Sequence, residues 1–293
     1  MARPAVLVIA ATDSSGGAGL TRDVRVLSDF SVDALCVVTA ITAQSDRKVT
    51  AVHHVPPDVI RSQIAAALAT RQIGAIKIGM LGNRATVEAV VEGLRADESL
   101  RGGLAPGESW PSEGLAAGGS SPGGLLPGGS LRSESLLSEG RSHGIPIVVD
   151  PVLVSTSGGV LLDAGGRAAL TEALFPLAAL VTPNVPEAAA LLGEALATDE
   201  AGLVQQGVRL LRFGSRAILL KGGHTDGEDA VDLLISSDRT VERIASPRIT
   251  GTSRGTGCAL ASAIAAGLAA GRPLNEVCRA AKTYVLGMLT PVS

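Results

Sequence analysis

The chain has 293 residues, and its 25 Lys and Arg against 28 Asp and Glu leave a net charge of −3 at pH 7. A content of 46% hydrophobic and 18% charged residues excludes global disorder and suits a chain long enough to bury a sizeable core. The acidic balance and the 2% aromatic content exclude a basic nucleic-acid footprint and a base-stacking platform.

In chain order, short β-branched apolar runs alternate with Ala/Leu segments of helical period. Strands are expected at 5–11, 34–42, 74–79, 145–150, 178–182, 216–221 and 230–235. Helices are expected at 18–30, 57–72, 84–97, 165–174, 186–193, 199–213, 256–271 and 273–288. Strands apolar throughout, such as Ile145 to Val149, suit a sheet covered on both faces. The alternation predicts a mostly parallel α/β sheet whose ligand crevice lies at the carboxyl ends of the strands.

From Gly102 to Gly129 the composition changes, with ten Gly and four Pro in 28 residues. This composition cannot form a packed core, so about 100–141 is expected to be a flexible insertion in a single domain spanning 1–293. The run Ala5 to Ala11 is too short to span a membrane, and no cleavage pattern follows it. The longest uncharged stretch outside the Gly/Pro-rich segment, 255–271, is Ala- and Gly-rich and reads as a buried helix, so no membrane association is expected. Cys36, Cys258 and Cys278 form an odd set without a CxxC, which predicts a reducing cytoplasm and neither a disulfide framework nor a zinc site.

Five polar motifs fall at strand ends and a sixth opens a helix. Asp13-Ser14-Ser15-Gly16-Gly17-Ala18-Gly19 reads equally as a ligand-binding turn or as a tight strand-to-helix connection. Gln44 can pair with a heterocycle edge, or it can simply be a polar strand end. Asp150-Pro151-Val152 and Thr182-Pro183-Asn184-Val185-Pro186-Glu187 supply carboxylates of the kind that hold Mg²⁺ beside phosphates, although Asn184 can also serve as a helix cap. Lys221-Gly222-Gly223-His224 offers a point charge for a phosphate, whereas mid-strand Lys77 reads as structural. Thr252-Ser253-Arg254-Gly255-Thr256-Gly257-Cys258 opens a helix, where amides form an anion hole and the positive helix end favours a Cys258 thiolate. Cys36 and Cys278 read as small buried cysteines.

In their order and spacing these motifs, with Lys77-Ile78-Gly79-Met80-Leu81, resemble the hydroxymethylpyrimidine/phosphomethylpyrimidine kinases of thiamine biosynthesis. Those enzymes belong to the ribokinase-like superfamily, with the pyridoxal kinases. The resemblance implies a three-layer α/β/α sandwich, ATP as phosphoryl donor, Mg²⁺ and a homodimer. It implies phosphorylation of 4-amino-5-hydroxymethyl-2-methylpyrimidine and then of its monophosphate. Gln44 would read the pyrimidine edge, with Gly17, Ala18 and Met80 lining its pocket. Lys221, Asn184 and Thr252 would meet ATP, and Asp150 and Glu187 the metal. Gly255, Thr256 and Gly257 would form the anion hole, and Cys258 would activate the hydroxyl. The chain departs from the family pattern at Gly19-Leu20-Thr21-Arg22-Asp23, at Leu153 and Thr156, in the insertion, and at Pro291-Val292-Ser293, where a histidine-containing tail is usual. Thr156 stands near a customary lysine, which bears most on the second phosphorylation. A pyridoxal kinase and a catalytically weak pyrimidine-binding sensor are the alternatives.

Overall fold

The computed structural model describes residues 3–97, 100, 144–155, 158–222, 228–249 and 254–289. Its sheet has the strand order β3-β2-β1-β4-β5-β6-β7-β8-β9. β1 (Ala5–Asp13) runs parallel to β2 (Asp33–Gln44) and to β4 (Ala75–Ile78). β5 (Ile147–Val149), β6 (Leu180–Val181) and β7 (Ala217–Lys221) continue the parallel run. β3 (Val49–His54) closes one edge antiparallel, and β8 (Asp229–Ser236) and β9 (Val241–Pro247) extend the other.

Alternation along each strand feeds two cores, one on each face of the sheet. Ala5, Leu7 and Ile9 of β1 and Ile76 and Ile78 of β4 face one core. α2 (Pro57–Thr70), α3 (Arg84–Ala96), α4 (Ala164–Ala169), α5 (Val185–Leu192) and α6 (Glu200–Leu210) cover that side. Val6, Val8 and Ala10 face the other core, under α1 (Gly19–Asp29), α7 (Thr256–Ala269) and α8 (Leu274–Leu289). The result is the expected three-layer α/β/α sandwich. No helix of the described residues is long and apolar enough to cross a membrane.

Several element boundaries differ from expectation. The helix expected at 165–174 is α4 continued by a π turn over Leu170–Leu174 and a 3₁₀ turn over Phe175–Leu177. Strands β3 and β9 were not expected. Both are edge strands with mostly exposed residues, so neither carries an apolar run. The Gly/Pro-rich segment lies outside the described residues, as do Thr156, Gly223, His224 and Pro291–Ser293. The chain re-enters at Gly144, at the amino end of β5 and opposite the carboxyl edge.

On β4 the period of two places Lys77 on the α1–α7 face, where an apolar side chain would be expected. Its ammonium instead meets Asp23 of α1 at 2.7 Å, with both side chains 0% exposed. Ser262 of α7 donates a hydrogen bond to the other Asp23 oxygen at 2.8 Å. Burial pulls the Lys77 ammonium down, and the Asp23 carboxylate more than offsets it, so the lysine stays charged. Burial pushes Asp23 up against that same attraction. The structural role read for Lys77 is thus a buried tie between β4, α1 and α7.

Removing one member of such a pair strands an uncompensated charge. Asp23→Ala is expected to cost about 3–5 kcal/mol in urea unfolding, with much of the loss recovered in Asp23→Leu/Lys77→Met. A single variant within about 1 kcal/mol of the parent would show that the tie does not matter to the fold.

Candidate active site

The carboxyl ends of the parallel strands open into a cleft of about 830 Å³. Strand order spreads its lining along the sheet, from Gln44 on β2 to Ser246 on β9. Asp150, after β5, lies midway, and the amino end of α7 overhangs it.

At the β2 end, Gln44, Ala18 and Met80 all line the cleft. A β-bulge between Ala43 and Gln44 sets the end of the β2–β3 hairpin. Ser14 ties this end to the β1–α1 turn: its Oγ accepts from the Gln44 N–H and faces the Gln44 carbonyl, each at 2.8 Å. Thr42 Oγ1 donates to the Thr12 carbonyl at 2.8 Å and lies 3.3 Å from Gln44 Oε1. Gly17 departs from expectation and does not line the cleft; its carbonyl backs the first residue before α7 instead. A Cβ on Gly255 would stand 2.3 Å from the Gly17 carbonyl oxygen, and Gly255 has φ of 74°. Only glycine meets both demands there.

At mid-cleft, Lys221 Nζ lies 3.0 Å from Asp150 Oδ1 and 3.9 Å from Glu187 Oε2. Thr182 Oγ1 donates to Asp150 Oδ1 at 3.1 Å. Burial pulls the Lys221 ammonium down, but Asp150 and Glu187 outweigh it and hold it above its ordinary value. Burial pushes Glu187 up, with Lys221 opposing. Asn184 and Glu187 form a capping box on α5, each side chain accepting the other's N–H at 2.8 Å. The capping alternative for Asn184 is therefore real, and it sits inside the cleft lining. A Cβ on Gly257 would stand 3.2 Å from Lys221 Nζ and 3.4 Å from Asp150 Oδ2. The first turn of α7 thus closes directly over the Lys221–Asp150 pair. Gly255, Thr256, Gly257 and Cys258 all line the cleft there, where free helix N–H groups favour an anion. Thr252 lies outside the described residues.

Cys258 is in the first turn as expected, but its ionisation is not. Burial pushes the thiol up to about 11, with Asp23 and Asp150 adding to the rise and Lys77 opposing it. Desolvation and two carboxylates outweigh the helix end, whose influence is typically under ~2 kcal/mol. The resting group is a neutral thiol, not the expected thiolate. Of the other cysteines, Cys278 is buried as expected, whereas Cys36 is exposed.

Two ion-paired groups were not anticipated. Arg254 reaches back from the start of α7 to Asp13, Ser15 and Asp46. Lys282 of α8 pairs with Asp232 of β8 at 2.8 Å in the β8–α8 part of the cleft, and Asp232 also accepts from the Gly222 N–H. Arg254, Asp13 and Ser15 lie within motifs already singled out, but no local motif surrounds Asp232 or Lys282. The available signal was charge within apolar strand and helix patterns, as at Asp232 and Lys282.

Because the thiolate is the nucleophile, the raised Cys258 value sets the sign of its pH response. Its carbamidomethylation by iodoacetamide, read by peptide mass spectrometry, should be slow at pH 7. The rate should climb about tenfold per pH unit toward about 11. A rate already on its plateau at neutral pH would restore the thiolate reading.

Comparison with known proteins accords with this arrangement. The family model described as phosphomethylpyrimidine kinase matches residues 13–101 and 133–291, on either side of the Gly/Pro-rich stretch. A hydroxymethylpyrimidine/phosphomethylpyrimidine kinase from Rhizobium meliloti is 39% identical over 280 residues, 95% of this chain and 88% of that one. The crystal structure of a phosphomethylpyrimidine kinase from Clostridium difficile has a TM-score of 0.73 at 29% identity, covering 98% of this chain and 100% of that one. A pyridoxal kinase from Staphylococcus aureus in complex with ADP has a TM-score of 0.76 at 25% identity, covering 99% of this chain and 89% of that one. With these matches over most of its length, and in this sandwich, the chain belongs to the phosphomethylpyrimidine kinase family.

Proposed function

We propose that the protein transfers a phosphoryl group from ATP to 4-amino-5-hydroxymethyl-2-methylpyrimidine, and then to the monophosphate so formed, in thiamine biosynthesis. The observation that carries this reading is one continuous cleft. Its Gln44 end suits a nitrogen heterocycle, its middle suits phosphates, and its β8–β9–α8 end is a slot lined by Ala230, Pro247, Val285 and Leu289. The slot suits the flat base of a nucleotide.

Gln44 pairs with the aminopyrimidine edge, and Ala18 and Met80 pack beside the ring. Lys221 meets the ATP phosphates by exchanging part of its attraction to Asp150 and Glu187. Asn184 lines the nucleotide side of this centre. The donor set fits Mg²⁺, which is usually held by one or two carboxylates plus phosphates, and Asp150 and Glu187 are the residues that would hold it. When bound, that ion neutralises phosphate charge. The N–H groups of Gly255, Thr256 and Gly257 stabilise charge on the transferring group. As the substrate oxygen attacks phosphorus and ADP leaves, the hydroxyl proton passes to Cys258 Sγ. Cys258 acts through its minor thiolate form, which its raised pKa makes strongly basic.

The reading extends to a single domain in the cytoplasm, interrupted by an insertion at about 100–141, and to a homodimer. The cysteines are free. Edge strand β3 ends the sheet, and the Val154–Val160 bridge beside it leaves both valines exposed.

ADP release should be measured with hydroxymethylpyrimidine, its monophosphate, pyridoxine and no acceptor. Both pyrimidines should stimulate release; turnover of pyridoxine alone would replace the reading with that of a pyridoxal kinase. Gln44→Leu should weaken pyrimidine binding by about 1–3 kcal/mol while ATP binding persists. An equal loss for both ligands would sink the Gln44 assignment. Native kcat should rise with pH above neutrality, since the thiolate fraction grows toward about 11. Cys258→Ala should lower kcat by about 10²–10⁴-fold and flatten that rise. Unchanged kcat in this variant would make the thiol a packing residue.

A further inference from the structure

Arg254 has its main chain over the middle of the cleft and its guanidinium at the β2 end. Its backbone leads directly into Gly255, the left-handed residue that opens α7 and the anion hole. Its guanidinium turns back over the β1–α1 turn, where a Cβ on Gly17 would stand 3.4 Å from Nη1. Nη2 donates to Asp13 Oδ2 at 3.1 Å. Nη1 donates to Ser15 Oγ at 3.0 Å and to Asp46 Oδ1 at 2.7 Å. Asp13 closes β1 and also accepts from the Ser15 N–H and hydroxyl. Asp46 lies two residues past Gln44 on the β2–β3 connection. One planar fork therefore joins the turn carrying Ala18, the hairpin carrying Gln44 and the helix start carrying the phosphoryl site.

We infer that Arg254 is a positioning residue, setting the distance between the pyrimidine pocket and the anion hole. Resting on the pyrimidine-kinase reading, this assigns the two ends of the guanidinium different work. The inner arm is well shielded: the Arg254 side chain is 16% exposed and that of Asp13 is 2%. The outer arm reaches an Asp46 side chain that is 83% exposed, so solvent screens it. The inner arm holds the Asp13–Gly17 turn against α7, where Gly255 rests on the Gly17 carbonyl. The outer arm closes the hairpin end bearing Gln44. A lysine has the charge but not the fork, and cannot span three acceptors in fixed geometry.

The test is steady-state kinetics on full-length Arg254→Met, Arg254→Lys, Asp46→Asn and the Arg254→Met/Asp46→Asn double variant. KM values are measured separately for hydroxymethylpyrimidine and ATP. Arg254→Met should raise the pyrimidine KM and lower kcat by up to about 10²-fold, the scale of a misplaced reacting group, with the ATP KM within about twofold. Arg254→Lys should recover only part of this. Asp46→Asn should raise the pyrimidine KM alone, and the double variant should be no worse than Arg254→Met. Parent-like kinetics in Arg254→Met, equal shifts in both KM values, or additive effects in the double variant would overturn the inference. If Arg254→Met does not fold, Asp46→Asn decides: an unchanged pyrimidine KM rejects the coupling. A parent enzyme inactive on the pyrimidine but active on pyridoxine would overturn the functional reading instead. The same KM and kcat split on pyridoxine would then judge Arg254.

Discussion

The buried ion pair between Lys77 and Asp23 is the contact on which the catalytic geometry depends. β4, α1 and α7 are far apart in the chain, and one ammonium, one carboxylate and the Ser262 hydroxyl join them in a site without solvent. Desolvating two charges is expensive, and their attraction offsets that cost only with good geometry. Such a pair contributes little net stability but penalises any packing that separates its members. An apolar trio would let α7 slide along the sheet; a charged one does not. The height of the first turn of α7 above Asp150 therefore follows from a contact one layer below.

Charge is balanced locally along the whole cleft. Asp13 faces Arg254, Asp150 and Glu187 share Lys221, and Asp232 faces Lys282. Each carboxylate at the strand ends has a cation from another element. This limits repulsion among acidic groups while no phosphate is present. It also leaves Lys221 already paired, so any anion arriving there would exchange partners with Asp150 and Glu187 rather than meet a free cation. The cost of burying that ammonium is met in folding, before any ligand arrives.

Much of this architecture was legible in the sequence, because the central strands are apolar on both faces and the motifs follow them. Gln44, Met80, Ala18, Asp150, Asn184, Glu187, Lys221 and Gly255 to Cys258 do converge on one cleft. What failed to show has physical reasons. β3 and β9 are edge strands, and a strand with solvent on its flank needs no apolar run. The Cys258 ionisation was misjudged because the helix end is local and visible, whereas the burial and carboxylates that dominate come from distant segments. The resemblance implies Gly17 in the pocket wall, while the glycine turn alone fits a ligand or a tight connection equally. Here its carbonyl faces another glycine. Arg254, Asp232 and Lys282 act through partners remote in sequence, which no spacing rule can reveal.

The contact between Gly255 and the Gly17 carbonyl carries a consequence for how such enzymes diverge. A side chain at residue 255 would collide with the main chain of a turn nearly the whole protein away in sequence. Neither segment can be exchanged for that of a distant relative unless the other comes with it. Recombination that crosses between them separates two halves of one fitted surface, and gradual drift in either is confined to changes that leave its backbone path intact. Side chains such as Gln44 and Met80, which line the cleft without forming this seam, are free of that constraint. The two loops form one fitted unit, and each constrains the other's backbone path.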